Sequence, residues 1–227
     1  MISAALRLHA ERPLHPMALL RACWEGTVAL GLDRGEYLYL PGDPARSVFL
    51  VRQGFLRVGR LLSSGGELTL DLAGPGEVLG EEAVLGTGHR VGLAQALESV
   101  RVSPLPAPTL ESVLRRSATL SLTLARILGE RSQRAEDRAV QSALADCRRR
   151  LARVLLEMAE RFGADEDGGR RILPRLTHEE LARFIGAARE TVTPLLVELR
   201  REGLLHYDRR RLLVRNAPRL QQIAAGR

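Results

Sequence analysis

The chain has 227 residues, of which 45% are apolar, and 34 basic against 27 acidic side chains leave a formal net charge of +7. That length holds one large domain or two ordinary ones, with enough apolar content for a core. No apolar run approaches the ~20 residues of a membrane span, the N-terminus lacks the basic-then-apolar pattern of a secretory signal, and the only cysteines, Cys23 and Cys147, lie too far apart in sequence to suggest a disulfide framework. Every basic residue is Arg. That matches the codon bias of a GC-rich genome, and Arg also suits phosphate recognition. These features together predict a soluble, cytoplasmic bacterial protein with no membrane partner.

Residues 1–27 are weakly patterned. Pro13 and Pro16 interrupt any early helix, and Met17 to Trp24 forms a short one. From Val28 short apolar segments alternate with turn signals, among them Pro41-Gly42-Asp43-Pro44, Ser64-Gly65-Gly66 and Gly74-Pro75-Gly76. The segments between them, Tyr37–Leu40, Val48–Arg52, Phe55–Leu62, Glu67–Leu72 and Val91–Val102, have the length and spacing of strands in a sandwich or barrel-like domain. Pro104, Pro106 and Pro108 end that region, and Thr109–Leu114 reads as a short helix. A long helical run follows from Ser117 to Ala145. Its apolar stripe, Leu120, Leu124, Ile127 and Leu128, continued by Arg131, is the expected dimer interface. The other option for this stripe is packing on its own β domain. Asp146 caps the next helix, whose apolar face is Leu151, Val154, Leu155, Met158, Ala159 and Phe162. Ala164–Arg171 reads as a polar loop.

The stretch Thr177–Leu205 reads as a helix-turn-helix. Thr177 and Glu180 make a capping box, Leu181, Phe184 and Ile185 form one apolar face, and Gly186 suits the left-handed turn past a helix end. Arg189 opens a second helix whose buried stripe is Val192, Leu195, Leu196 and Leu199. Its other face carries Glu190, Thr193, Pro194 and Val197. Leu204–Val214 reads as a two-stranded wing with a basic tip at Arg209, Arg210 and Arg211. Charge supports this assignment. Residues 168–227 hold 13 Arg and 6 acidic residues, whereas the remaining 167 residues are balanced at 21 of each. A basic domain attached to a neutral one points to a polyanionic partner.

A β domain, a long helix and a winged helix-turn-helix, in that order, resemble the Crp/Fnr superfamily of bacterial transcription regulators. The most specific matches are Tyr39-Leu40-Pro41-Gly42-Asp43-Pro44, Gly80-Glu81, and Leu181-Ala182 through Arg189-Glu190-Thr191-Val192. The resemblance covers about residues 28–215. It implies an α+β chain with a cyclic-nucleotide-binding-like β-roll over 1–116, a dimerisation helix over 117–145 and a DNA-binding domain over 146–227. The implied partners are a second copy of the chain, a palindromic double-stranded DNA site and RNA polymerase. Recognition helices of two copies would enter successive major grooves about 34 Å apart. Arg189 and Glu190 are the expected base readers, assisted by Thr191 and Thr193. Thr177, His178, Arg209, Arg210 and Arg211 are the expected remaining DNA contacts.

In members that bind cyclic AMP, a glutamate after glycine holds the ribose, and an Arg followed by Ser or Thr holds the phosphate. The matching effector pocket here is Gly80, Glu81, Arg90, Val91, Ala135 and Glu136. Val91 offers no hydroxyl, Ala135 and Glu136 replace the Thr-Ser pair of binding members, and Glu136 would bring negative charge towards an anionic ligand. The expectation is therefore a regulator without a cofactor and independent of cyclic AMP. The alternatives are a cyclic-nucleotide-gated regulator and a nucleotide-sensing module whose winged helix docks a protein. Two distant cysteines do not make an iron–sulfur site, and His9, His15, His89, His178 and His206 are too scattered for a haem pocket or a metal site. No nucleophile–base pairing or phosphate-binding loop suggests an enzyme; Glu81 and Glu82, adjacent on a strand, would point to opposite faces. Pro194 falls where the family commonly has a third base-reading Arg. It predicts an altered helix start and a site preference different from the usual TGTGA-type half-site.

Overall fold

The computed structural model describes residues 16–63, 65–86, 88–208 and 211–226; the expectations for Pro13, Ser64, Arg209 and Arg210 fall outside it. Two compact units result. One comprises the described residues up to Leu56 with Ala73–Ala135, and the other comprises Arg57–Leu72 with Glu136–Arg227.

In the first part of the chain, helix α1 (Pro16–Ala22) precedes strands β1 (Leu30–Leu32), β2 (Tyr37–Tyr39), β3 (Ser47–Gln53), β4 (Leu56–Leu61), β5 (Glu67–Ala73) and β6 (Val78–Leu79). A 3-10 turn at Glu81–Ala83 then leads to β7 (Leu93–Ala96), β8 (Val100–Pro106) and helix α2 (Ala107–Arg116). The strands form two four-stranded sheets, ordered β1-β8-β3-β6 and β2-β7-β4-β5. The expected single segment Val91–Val102 is thus two strands in different sheets. No Gly or Pro marks the turn between them, so apolar patterning alone could not separate the two. The prolines also sit differently from expectation. The first residue of β1, Leu30, lies opposite Val102, so beyond Val102 strand β8 has only β3 beside it, and Pro104 and Pro106 are tolerated there. Pro108 lies in the first turn of α2, where its missing N–H is harmless.

The core of this unit gathers Leu20, Trp24, Val48, Leu50, Val78, Leu105 and Leu110. Trp24 is fully buried, and its indole N–H donates to the Val48 carbonyl at 3.3 Å, which removes the penalty of burying an unpaired donor.

Helix α3 (Ala118–Leu144) follows. Leu120 and Leu124 are only 2% and 7% exposed within the single chain, and Ile127 packs against the same core as Leu120. Leu128 and Arg131 are half-buried. Leu120 and Leu124 of the expected dimer stripe are thus buried within the single chain, and Leu120 and Ile127 join the apolar core of the β domain. The exposed face of α3 is a different one. Leu122, at 58% exposure, leads a seam of small or polar exposed residues, Ala125, Gly129, Ser132 and Ala139.

In the second unit, α4 (Cys147–Phe162) is capped by Asp146, whose side chain accepts from the Arg149 amide at 2.8 Å. Its whole predicted face is buried. Asp71 of β5 accepts from Arg161 of α4 at 2.6 Å. Next come β9 (Gly163–Glu166), β10 (Gly169–Ile172), α5 (His178–Ile185), α6 (Arg189–Arg201), β11 (Leu205–Asp208), β12 (Arg211–Val214) and α7 (Ala217–Ala224). The stretch expected to be a loop is mostly the β9–β10 hairpin. It pairs through Arg170–Ile172 with β12 and widens the wing into a sheet ordered β11-β12-β10-β9.

Candidate nucleic-acid interface and effector pocket

The two helices α5 and α6 are set by their ends. The Thr177 hydroxyl accepts from the Glu180 amide at 3.2 Å, and the Glu180 carboxylate accepts from the Thr177 amide, which closes the capping box. Gly186 takes φ 61° and ψ 44°, a left-handed conformation that a side chain would strain, and the chain turns there into α6. Val192, Leu196 and Leu199 are buried beneath α6, and Leu195 is half-buried. Burial of that stripe leaves Arg189, Glu190, Thr191, Pro194 and Val197 exposed on the outer side of the helix. Arg211 is exposed at the start of β12.

Pro194 is expected to disturb the helix, yet α6 runs unbroken from Arg189 to Arg201. Proline removes the amide that would bond the Glu190 carbonyl. It sits only one turn past the uncapped first amides, where the loss matters least. The Thr193 hydroxyl donates to the Arg189 carbonyl at 3.0 Å. That bond uses its one proton, so the 3.0 Å contact between His178 Nδ1 and the Thr193 oxygen takes its proton from the imidazole. The His178 ring also packs against Tyr207 of β11, with centroids 5.1 Å apart. Burial, and then the Arg189 guanidinium, lower the His178 pKa below its ordinary value. His178 is therefore a brace between wing and recognition helix, and Thr193 presents no free hydroxyl proton. Only the offset from His178 to Thr193 could have suggested that brace in the sequence, and it is not a recognised signal.

The effector-pocket residues converge in part. Arg90 is 4% exposed. Its guanidinium donates to the Gly80 carbonyl at 2.9 Å and the Ser47 carbonyl at 2.5 Å and pairs with Glu82 at 3.3 Å. It also lies 4.4 Å from the Tyr39 ring centroid and 5.5 Å from that of Phe49. A Cβ on Gly80, which has φ 81°, would stand 2.7 Å from Arg90 Nη1; glycine is required because the guanidinium rests on the backbone. Glu81 and Glu82 occupy a 3-10 turn rather than a strand, so they find separate partners: Glu82 pairs with Arg90, and Glu81 pairs with Arg131 of α3 at 2.6 Å. Arg131 also donates to the Val78 carbonyl. Its assigned role was the dimer seam, so sequence reasoning missed this bond, which depends on the fold bringing residues 50 apart together. Val91 is exposed, as are Ala135 and Glu136 along α3. Burial and the two glutamates raise the Tyr39 pKa, so its phenol stays protonated. A cavity of about 420 Å³ opens between α1, Val78 and α3, lined by Met17, Thr123, Ile127 and Arg134 among others, but not by Glu81 or Arg90.

Comparison with known proteins agrees with this arrangement. Residues 30–117 match the cyclic nucleotide-binding domain and residues 149–223 the Crp-like helix-turn-helix domain. The transcriptional regulator SdrP of Thermus thermophilus is 33% identical over 85% of this chain and 92% of its own length. The chain belongs to the Crp/Fnr family of transcription regulators. A Mycobacterium tuberculosis relative, described as a CRP-like cAMP-activated global transcriptional regulator, is 29% identical over 84% of this chain and 85% of that one. The structure of FixK2 from Bradyrhizobium japonicum superposes with a TM-score of 0.77 at 25% identity, covering 87% of this chain and 96% of that one. This Crp/Fnr chain is thus a DNA-binding regulator and not an enzyme.

Proposed function

We propose that two copies of this regulator bind a palindromic DNA site without needing cyclic AMP. The observation that carries the reading is the state of Arg90. The guanidinium expected to hold a cyclic phosphate is buried, and three of its five N–H donors are directed at Gly80, Ser47 and Glu82. Glu81, the expected ribose partner, is likewise held by Arg131. A nucleotide would have to displace these charge-assisted bonds, and Val91 offers no hydroxyl in return. Dimerisation uses the exposed seam of α3 led by Leu122, where small residues at three- and four-residue spacing allow close helix approach. The regulator works in the cytoplasm, and RNA polymerase is its protein partner on the promoter.

The cyclic-nucleotide-gated alternative is favoured by the domain match over residues 30–117 and by relatives described as cAMP-activated or as a cyclic AMP receptor protein. One experiment separates the two. Fluorescence anisotropy on a duplex selected from a random pool should give the same dissociation constant, within about twofold, with and without millimolar cyclic AMP. Specific binding that appears only with the nucleotide would reverse the proposal.

A further inference from the structure

The outer side of α6 is charged at its ends and apolar in its middle. Arg189 and Glu190 stand at its start and Arg201 at its finish, all exposed. Between them Pro194 is exposed and Val197 is 41% exposed. Glu190, Pro194, Val197 and Arg201 fall at i, i+4, i+7 and i+11, one ridge along the helix. The neighbouring Thr193 adds no polar donor, because its hydroxyl proton is used on the Arg189 carbonyl. Pro194 also has no N–H. The side chains of Pro194 and Val197, the middle of the ridge, therefore cannot donate a hydrogen bond to a guanine or accept one from a cytosine. A single exposed valine is ordinary on a protein surface. A proline and a valine in sequence along the exposed ridge of a DNA-reading helix are a surface that DNA would desolvate.

The major groove offers one apolar group for such a surface, the 5-methyl of thymine. We infer that Pro194 and Val197 read thymine methyl groups, so that each half-site carries thymine where Arg189 and Glu190 have finished reading. The inference rests on α6 being the DNA-reading helix, and its test separates the two claims. The operator is selected from a random pool with the wild-type protein, and each thymine is then replaced singly by deoxyuridine, which keeps every hydrogen-bonding group and removes only the methyl.

One or two positions per half-site should lose about fourfold in affinity, the value of one buried methyl group, and about 16-fold when both half-sites are changed. That penalty should shrink below twofold in the Pro194→Ala, Val197→Ala double variant, in which both changes leave a helix former or a smaller apolar residue. Pro194→Arg should move the preference at the same position from thymine to guanine. Specific binding with no uracil-sensitive position would overturn the inference and leave the DNA-reading helix in place. A uracil penalty that persists unchanged in the double variant would also overturn it, since the methyl would then act through DNA shape. Absence of any sequence-specific binding would overturn both.

Discussion

Arg189 and Glu190, the proposed base readers, illustrate how little local structure such a role needs. Both are exposed at the start of α6, and the buried stripe of Val192, Leu196 and Leu199 aims them by helical geometry alone. Arg189→Ala should weaken binding to the selected operator by ~1–3 kcal/mol per half-site and leave a scrambled duplex nearly unaffected, as anisotropy titrations on both duplexes would show. His178 is the opposite kind of residue, because its importance lies in what it touches. Burial and the Arg189 charge hold its pKa below the ordinary value, so the unfolded chain takes up that proton more readily than the folded one. The stability this neutral imidazole supports is complete above about pH 6.5 and declines as pH falls further. Urea midpoints should fall more steeply between about pH 7 and 5 for the wild type than for His178→Gln. Equal slopes would remove His178 from the account.

Among the elements, α3 shows how one helix carries two incompatible expectations. Leu120 and Leu124 face inward, and the seam led by Leu122 faces out. Leu120→Ala should therefore lower unfolding free energy by ~2–5 kcal/mol without changing the oligomeric state. Leu122→Glu should do the reverse and yield a folded monomer in sedimentation velocity; a dimer in that variant would place the interface elsewhere. The helix caps at Thr177 and Asp146 were legible because each depends on residues at most three positions away. The β9–β10 hairpin was not legible: Ala164–Arg171 is polar and glycine-containing, and it becomes strand only because β12 lies beside it to accept its hydrogen bonds.

Across the whole molecule, charge is divided as sharply as structure. The excess of Arg lies in residues 168–227, the part that carries α5, α6 and the wing. Such a distribution makes DNA affinity depend steeply on salt through counterion release. Arg211, exposed at the start of β12, contributes one phosphate contact in this scheme. Arg211→Ala should reduce the slope of log affinity against log salt by ~1 per copy, and so by ~2 for a two-copy complex, with base preference unchanged. A slope equal to that of the wild type would detach the wing from the DNA.

Local sequence signals establish the order of the architecture: turn-punctuated strands, a long helix, and a capped helix-turn-helix with a wing. Those features depend on periodicity, capping residues and Gly or Pro at turns, all of which act over a few positions. The same signals establish which residues are exposed at the start of α6, since a buried stripe leaves only one free side. Tertiary structure alone decided the partners of buried charge. Arg90 bonds Gly80, Ser47 and Glu82, Arg131 turns inward to Glu81, and His178 braces Thr193. Each of these pairs joins residues well separated in the chain, and a guanidinium or imidazole bonds whichever acceptor the fold brings within reach. For the same reason the stripe on α3 was visible in the sequence, but its destination depended on the apolar surface packed beneath it.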